Sequence, residues 1–239
     1  MRLVLILSVF LTSCSPSEIS SDRLVHRDGL AFMMNTQKPF SGIVVDYHDN
    51  GQLKNKFTVK NGKIHGTPKE YSKNGRLLTK GHYRNGVEDG IHERLYPNGN
   101  LEWRVSYRQG KLNGVFEQYY PNGNLDVKQT YEEGEQQGVS RTYHQNGIIF
   151  QKRNYKDGKL HGLTESYYDN GQLAFTESHN NGIKDGLYTH YDRSGQMDTE
   201  TSYKRGVRNG LAVYYLNGNV DSKSCYKDDY PTDISYCSK

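Results

Sequence analysis

Glycine returns every 24 residues through almost the whole chain, at Gly42, Gly66, Gly90, Gly114, Gly138, Gly162, Gly186 and Gly210. In seven of these eight units a tyrosine follows five positions later (Tyr47, Tyr71, Tyr119, Tyr143, Tyr167, Tyr191 and Tyr215), while the third unit has Leu95 there. A second glycine, usually preceded by asparagine, stands nine positions after the first from Gly51 to Gly195, and one residue early at Gly218. A fixed period of this length marks a repeat protein, in which neighbouring units bury a core only jointly and expose one long surface. Such a chain is built for binding along a face rather than for chemistry at a point.

Each unit reads as two short strands. Gly162-Leu163-Thr164-Glu165-Ser166-Tyr167-Tyr168 precedes an Asn-Gly turn, and Leu173-Ala174-Phe175-Thr176-Glu177-Ser178 follows it. Tyrosine at the fifth position must oppose the leucine-type residue at the eleventh (Leu53, Leu77, Leu101, Leu125, Ile149, Leu173, Met197) if both are to share a face. A three-residue loop with a left-handed glycine achieves this, and a two-residue loop does not. Strand alternation then adds the first position (Ile43 through Leu211) and the seventeenth (Val59, Tyr83, Tyr107, Tyr131, Tyr155, His179, Tyr203) to one packed face of four columns. The unit-start glycines and a further set, Gly62 to Gly206, are expected at the return turns. The fold class is therefore all-β, an elongated single-sheet antiparallel meander of about eight 24-residue hairpins. Helix is excluded because no apolar pattern of helical period survives so many glycines. Sixteen strands at about 4.8 Å give a sheet roughly 75 Å long that twists steadily and needs its ends protected. Arg27 to Phe40 reads as a divergent half-unit capping one end, and the cysteine-bearing tail caps the other.

Composition agrees with a thin array. Only 33% of residues are hydrophobic, too few for one large globular core in 239 residues, and twenty tyrosines supply contact area while keeping a hydroxyl that can face water. The formal charge is +4, and +3 once Arg2 is removed with a leader, which is too small to imply nucleic acid.

The consensus G-x4-Y-x-N-G-x-L-x5-Y-x2-G resembles the bacterial variant of the MORN repeat over residues 27–229, and the chain looks like YwqK-family antitoxins. That resemblance implies neutralisation of a toxic partner. The last unit departs from it, with a shortened turn and Asp229 where a glycine belongs.

The ends speak to location. Residues 1–13 carry one charge, Arg2, and an apolar run from Leu3 to Leu11, the pattern of a secretory leader and too short to span a bilayer. Leu11-Thr12-Ser13-Cys14 resembles a bacterial lipobox, which implies lipidation of Cys14, and residues 14–26 then form the lipidated cysteine and its tether. Ser15 after that cysteine resembles the signal for an outer membrane facing the periplasm in a Gram-negative host. The expected division is leader 1–13, tether 14–26, array 27–229 and C-terminal cap 230–239. Cys225 and Cys237 are the other two cysteines. They form a disulfide in an oxidising compartment, stabilising the last unit by about 3 kcal/mol, or remain free thiols.

No residues converge as an enzyme requires. His65 and His161 occupy equivalent turn positions, and His144 and His190 have no acidic or cysteine partner at metal-ligand spacing. Glu132-Glu133 and Asp228-Asp229 sit at turns as solvated charge. Catalytic residues, cofactor and metal are all read as none. One column is less uniform: Lys56, Lys80, Arg104, Lys128 and Lys152 hold the fourteenth position of five successive units. Alternation sends them away from the tyrosine face, roughly 10 Å apart. They either steer an acidic partner or form a solvated face, offset by Asp46, Glu70, Glu102 and Asp126 on the same side and discouraging sheet aggregation. Trp103, Phe116, Phe150 and Phe175 are candidate aromatic anchors, or pack against neighbouring units. The leading functional expectation is a non-enzymatic, lipid-anchored envelope protein that neutralises a toxin or effector by direct binding. The alternative is a structural envelope lipoprotein bridging membrane and surface components. A protein partner and a membrane contact are expected, nucleic acid is not, and the sequence leaves the oligomeric state open.

Overall fold

The computed structural model describes residues 18–238. Leader and Cys14 lie outside them. A 20-stranded sheet and a separate two-stranded hairpin make up the fold. Glu18–Ile19 pairs in parallel with Gly42–Tyr47, and from there strands pair antiparallel in chain order except in the second unit, where Lys63–Tyr71 pairs with both Leu77–Lys80 and Tyr83–Arg84 and Leu77–Lys80 pairs on with Gly90–Leu95. The hairpin of Leu24–Arg27 and Leu30–Met33 covers the first end. There Ile19, Ala31, Phe40, Val44 and Val59 form a buried cluster, with Leu24, Met33 and Phe57 against it. Elsewhere the main contacts run between strands adjacent in the sheet, apart from the C-terminal turn Ile234–Ser238 on the last two long strands, so the ladder is one layer thick.

Both turn types follow from local chemistry. In the sixth unit the Tyr168 N–H donates to the Gln172 carbonyl at 2.8 Å and the Gly171 N–H to the Tyr168 carbonyl at 2.9 Å, enclosing a three-residue loop with Gly171 at φ +85°. Tyr167 accordingly opposes Leu173, as Tyr47 opposes Leu53 and Tyr191 opposes Met197. The return turns are two residues long with both φ values positive, as at Asn181-Gly182, the geometry that matches strand twist. The eighth unit, one residue short, makes this tighter turn at Asn217-Gly218, and Asp228-Asp229 closes another with φ of 50° and 69°.

Two expectations fail, for one reason. The unit-start glycines are not at turns. Gly42 and Gly90 begin six-residue strands, and the others lie inside longer ones such as Lys159–Tyr167, at a bulge where Arg153 opposes Thr164 but Tyr155 opposes Leu160. Gly114 shows why glycine is needed there: φ is +115°, and a Cβ would stand 3.0 Å from the Ser106 Cβ. That bulge shifts the register by two residues, and a separate one-residue shift divides the Ser166–Phe175 pair from the Tyr167–Leu173 pair. One residue of slip exchanges faces. The seventeenth column therefore joins the second, and His92 sits edge-on between Tyr83 and Tyr107 with centroids 5.0 and 4.9 Å away. The first and fifth columns lie on the other side, and Ile91, Val115, Leu163 and Leu187 of the first column are exposed rather than packed.

Candidate binding surface

The basic stripe stands on the tyrosine face, not opposite it. Register places the fourteenth position across from the third, as Lys152 from Glu165 and Lys128 from Glu117. Every member is paired: Lys56 with Glu18 at 2.7 Å, Lys80 and Arg104 both with Glu93 at 2.7 Å, Lys128 with Glu117 at 2.8 Å, and Lys152 with Glu165 at 3.2 Å. Burial pushes the Glu93 carboxyl up, yet hydrogen bonds from Lys80 and Arg104 hold it below its ordinary value. Lys128 does the same for Glu117 against the opposing effect of burial. The stripe is thus a ladder of ion pairs in which five cations are matched by four carboxylates, Glu93 serving two of them. Asp46, Glu70, Glu102 and Asp126 do not offset it. Asp46 accepts the Ser21 N–H, Glu70 the Thr79 hydroxyl, Asp126 the Gln118 amide, and Glu102 pairs with Arg94 at 3.0 Å.

Turn residues are linked as regularly. The Asn122 amide donates to the Gln145 carbonyl at 3.1 Å while its oxygen accepts the Asn124 N–H, and Asn98, Asn146 and Asn170 repeat both contacts. One step further in, the hydroxyls of Tyr96, Tyr120 and Tyr168 donate to the carbonyls of Tyr119, Tyr143 and Tyr191. His65 accepts the Asn85 N–H at the next return turn. His190 does have an acidic partner, contrary to expectation: the shifted register brings its Nδ1 within 2.7 Å of Asp198. Among the described residues no group of three or more His, Cys, Asp or Glu is placed to hold a metal ion.

The aromatic candidates do not form one site. Phe150 is exposed and edge-on to His144, Phe175 leans on Tyr188 with centroids 6.0 Å apart, and Phe116 is half-buried opposite Val105. Trp103 lines a cleft, one that sequence reasoning missed. At the second position of the second unit stands Pro68, which has no N–H for the ladder, and the residue across from it is Gly81. The second-unit strand accordingly breaks into Leu77–Lys80 and Tyr83–Arg84. The His92 ring occupies the space beside Gly81, where a Cβ would stand 2.6 Å from its Cε1, and His92 bonds the His82 carbonyl at 2.9 Å. A cleft of about 420 Å³ opens here, lined by Phe57, Pro68, Gly81, Tyr83, Glu88, His92, Trp103 and Tyr107 among others. Another of about 700 Å³ shares Lys80, Glu93 and Tyr107 with it and adds His82, Arg84, Asp89 and Arg108. The signal in the sequence was the coincidence of Pro68 and Gly81 at facing positions.

At the far end Tyr230–Thr232 pairs with Asn219–Lys227, and a disulfide joins Cys225 to Cys237 with Cα atoms 5.9 Å apart. Asp229 is held by Arg208 at 3.1 Å.

No curated protein matches the chain. Among the solved structures similar to it are one titled "Crystal Structure of TcdB2-TccC3-Cdc42", 14% identical with a TM-score of 0.24, and one titled "Crystal Structure of TcdB2-TccC3", 12% identical with a TM-score of 0.17. Each alignment covers 76% of this chain and 13% of the other, and at these scores neither carries an argument. The family model described as MORN repeat variant matches residues 41–61, 112–133, 136–157, 160–181, 184–205 and 208–228. With more than half of its residues matched, and with the period visible as hairpins in the sheet, the chain belongs to the MORN repeat variant family.

Proposed function

We propose that this chain is a non-enzymatic, lipid-anchored protein of the bacterial envelope that neutralises a toxic protein by binding it along the sheet, in the manner of YwqK-family antitoxins. The observation that carries the binding reading is the contrast between the regular ladder and its interruption. Along the stripe and at the turns, polar side chains are committed to cross-strand and inter-unit partners, whereas the Pro68–Gly81 break opens an aromatic-lined cleft. Concave, mostly apolar clefts with a few polar groups are where binding energy concentrates. The anchoring part rests on Leu11-Thr12-Ser13-Cys14.

Coexpression decides the central point. A toxic partner produced with this protein should lose its killing, and unchanged killing overturns the reading. Affinity capture from the native envelope should recover that partner. Recovery of abundant envelope proteins alone would turn the reading to a scaffold.

A further inference from the structure

The repeat contains its own template for what the cleft receives. At the sixth and seventh units, Lys184 projects over two rings, its Nζ 4.1 Å from the centroids of Tyr188 and Tyr203, and bridges to Glu177 at 3.2 Å. Arg208, one unit on, stands 4.1 Å over Tyr226. Cations seated this way on aromatic faces are stabilised by the ring quadrupole, most of all when partly shielded from water.

Four units earlier the frame is the same and the filling differs. His92 takes the place of Tyr188 and Tyr107 that of Tyr203, again edge to face, at 4.9 Å against 6.4 Å. Gly81 stands where Glu177 does, which removes a side chain from the space. Glu88 stands where Lys184 does, which reverses the charge. Glu88 is half-buried opposite Tyr83, close enough to both Tyr83 and Tyr107 to act with burial in pushing their hydroxyls up. Its carboxylate makes no ion pair among the described residues. Lys69 and Lys80 also line the cleft, but both belong to columns of the opposite face, and Lys80 is held by Glu93.

We propose that this cleft binds a lysine or arginine side chain of a protein partner, seated on the Tyr107 ring, the counterpart of Tyr203, and paired with the Glu88 carboxylate. The proposal deepens the reading of the chain as a partner-binding array and rests on it.

Trp103, the single tryptophan, lines the cleft and reports on it directly. The full-length protein is titrated with acetyl-Gly-Gly-Lys-Gly-Gly-amide, with its arginine counterpart, and with a norleucine analogue that keeps the apolar stem but lacks the charge. Both basic peptides should shift Trp103 emission, and the analogue should not. Glu88→Gln should weaken the response about tenfold, the effect of losing one hydrogen bond between charged groups. Glu88→Lys should abolish it by filling the cleft as Lys184 fills its own. No response in the parent protein, a response equal for the norleucine peptide, or undiminished binding by Glu88→Lys would overturn the proposal. Failure to protect against a toxin would not change this titration, so the two readings fail separately.

Discussion

The Lys152 ammonium lies 2.8 Å from the Tyr167 hydroxyl and 5.0 Å from the centre of its ring, while also bridging to Glu165. Tyrosine column and basic column therefore share one face, and the cations are spent on neighbours within the sheet. Replacing Lys128 with glutamine should cost only about 0.5–1 kcal/mol, because the ammonium is largely solvated, and denaturant titration should show this small loss.

Acid should cost more than the loss of one such pair. Glu93 and Glu117 are held below the ordinary glutamate value of 4.5 in the folded protein, Glu93 despite its burial and Glu117 chiefly by Lys128. The folded state therefore binds fewer protons than the unfolded state near that pH. Their contribution is complete at neutral pH and disappears as pH falls through the depressed values. The melting temperature should drop on acidification below about pH 4.5, and the Glu93→Gln, Glu117→Gln double variant should show a shallower drop. An equal acid slope in the double variant would contradict the assignment.

The asparagine ladder across the turns separates two contacts in one side chain. Asn122→Ala should destabilise by about 1–2 kcal/mol through loss of the Gln145 and Asn124 bonds. Asn122→Asp keeps the acceptor for Asn124 and loses the donor to Gln145, so its loss on denaturation should be intermediate.

Much of this was legible in the chain. The period, the three-residue loop and the Tyr167–Leu173 pairing all follow from glycine spacing and the need to keep apolar residues on one face. Face assignment beyond the first strand was not legible. The one-residue shift beside each loop displaces the register without changing residue spacing, so the seventeenth column crossed to the other side, whereas the two-residue bulge at glycines such as Gly162 leaves the faces as they were.

The bulge glycines should be intolerant. Gly114→Ala meets both a φ of +115° and the Ser106 Cβ, and should cost about 1–3 kcal/mol. Removing the Ser106 side chain in the same protein, by Ser106→Gly, should relieve only the contact, and a double-mutant denaturation series measures how the two terms divide.

Reduction of the Cys225–Cys237 bond should lower stability by about 3 kcal/mol in a chain-entropy account, the unfolded chain regaining its loop freedom. Melting with and without reductant checks this, with Cys225→Ser, Cys237→Ser as the control that must not respond.

By itself the sequence determined a ladder of hairpins, because turn chemistry and strand alternation act within a few residues and the period repeats them. Tertiary structure decided which charges meet. Glu93 collects both Lys80 and Arg104 only after the chain pairs across two neighbouring strands, and the cleft exists because Pro68 leaves the ladder short of a donor directly across from Gly81. Both depend on register between strands, and register is set by bulges that recur in the paired strands rather than by the composition of any one segment.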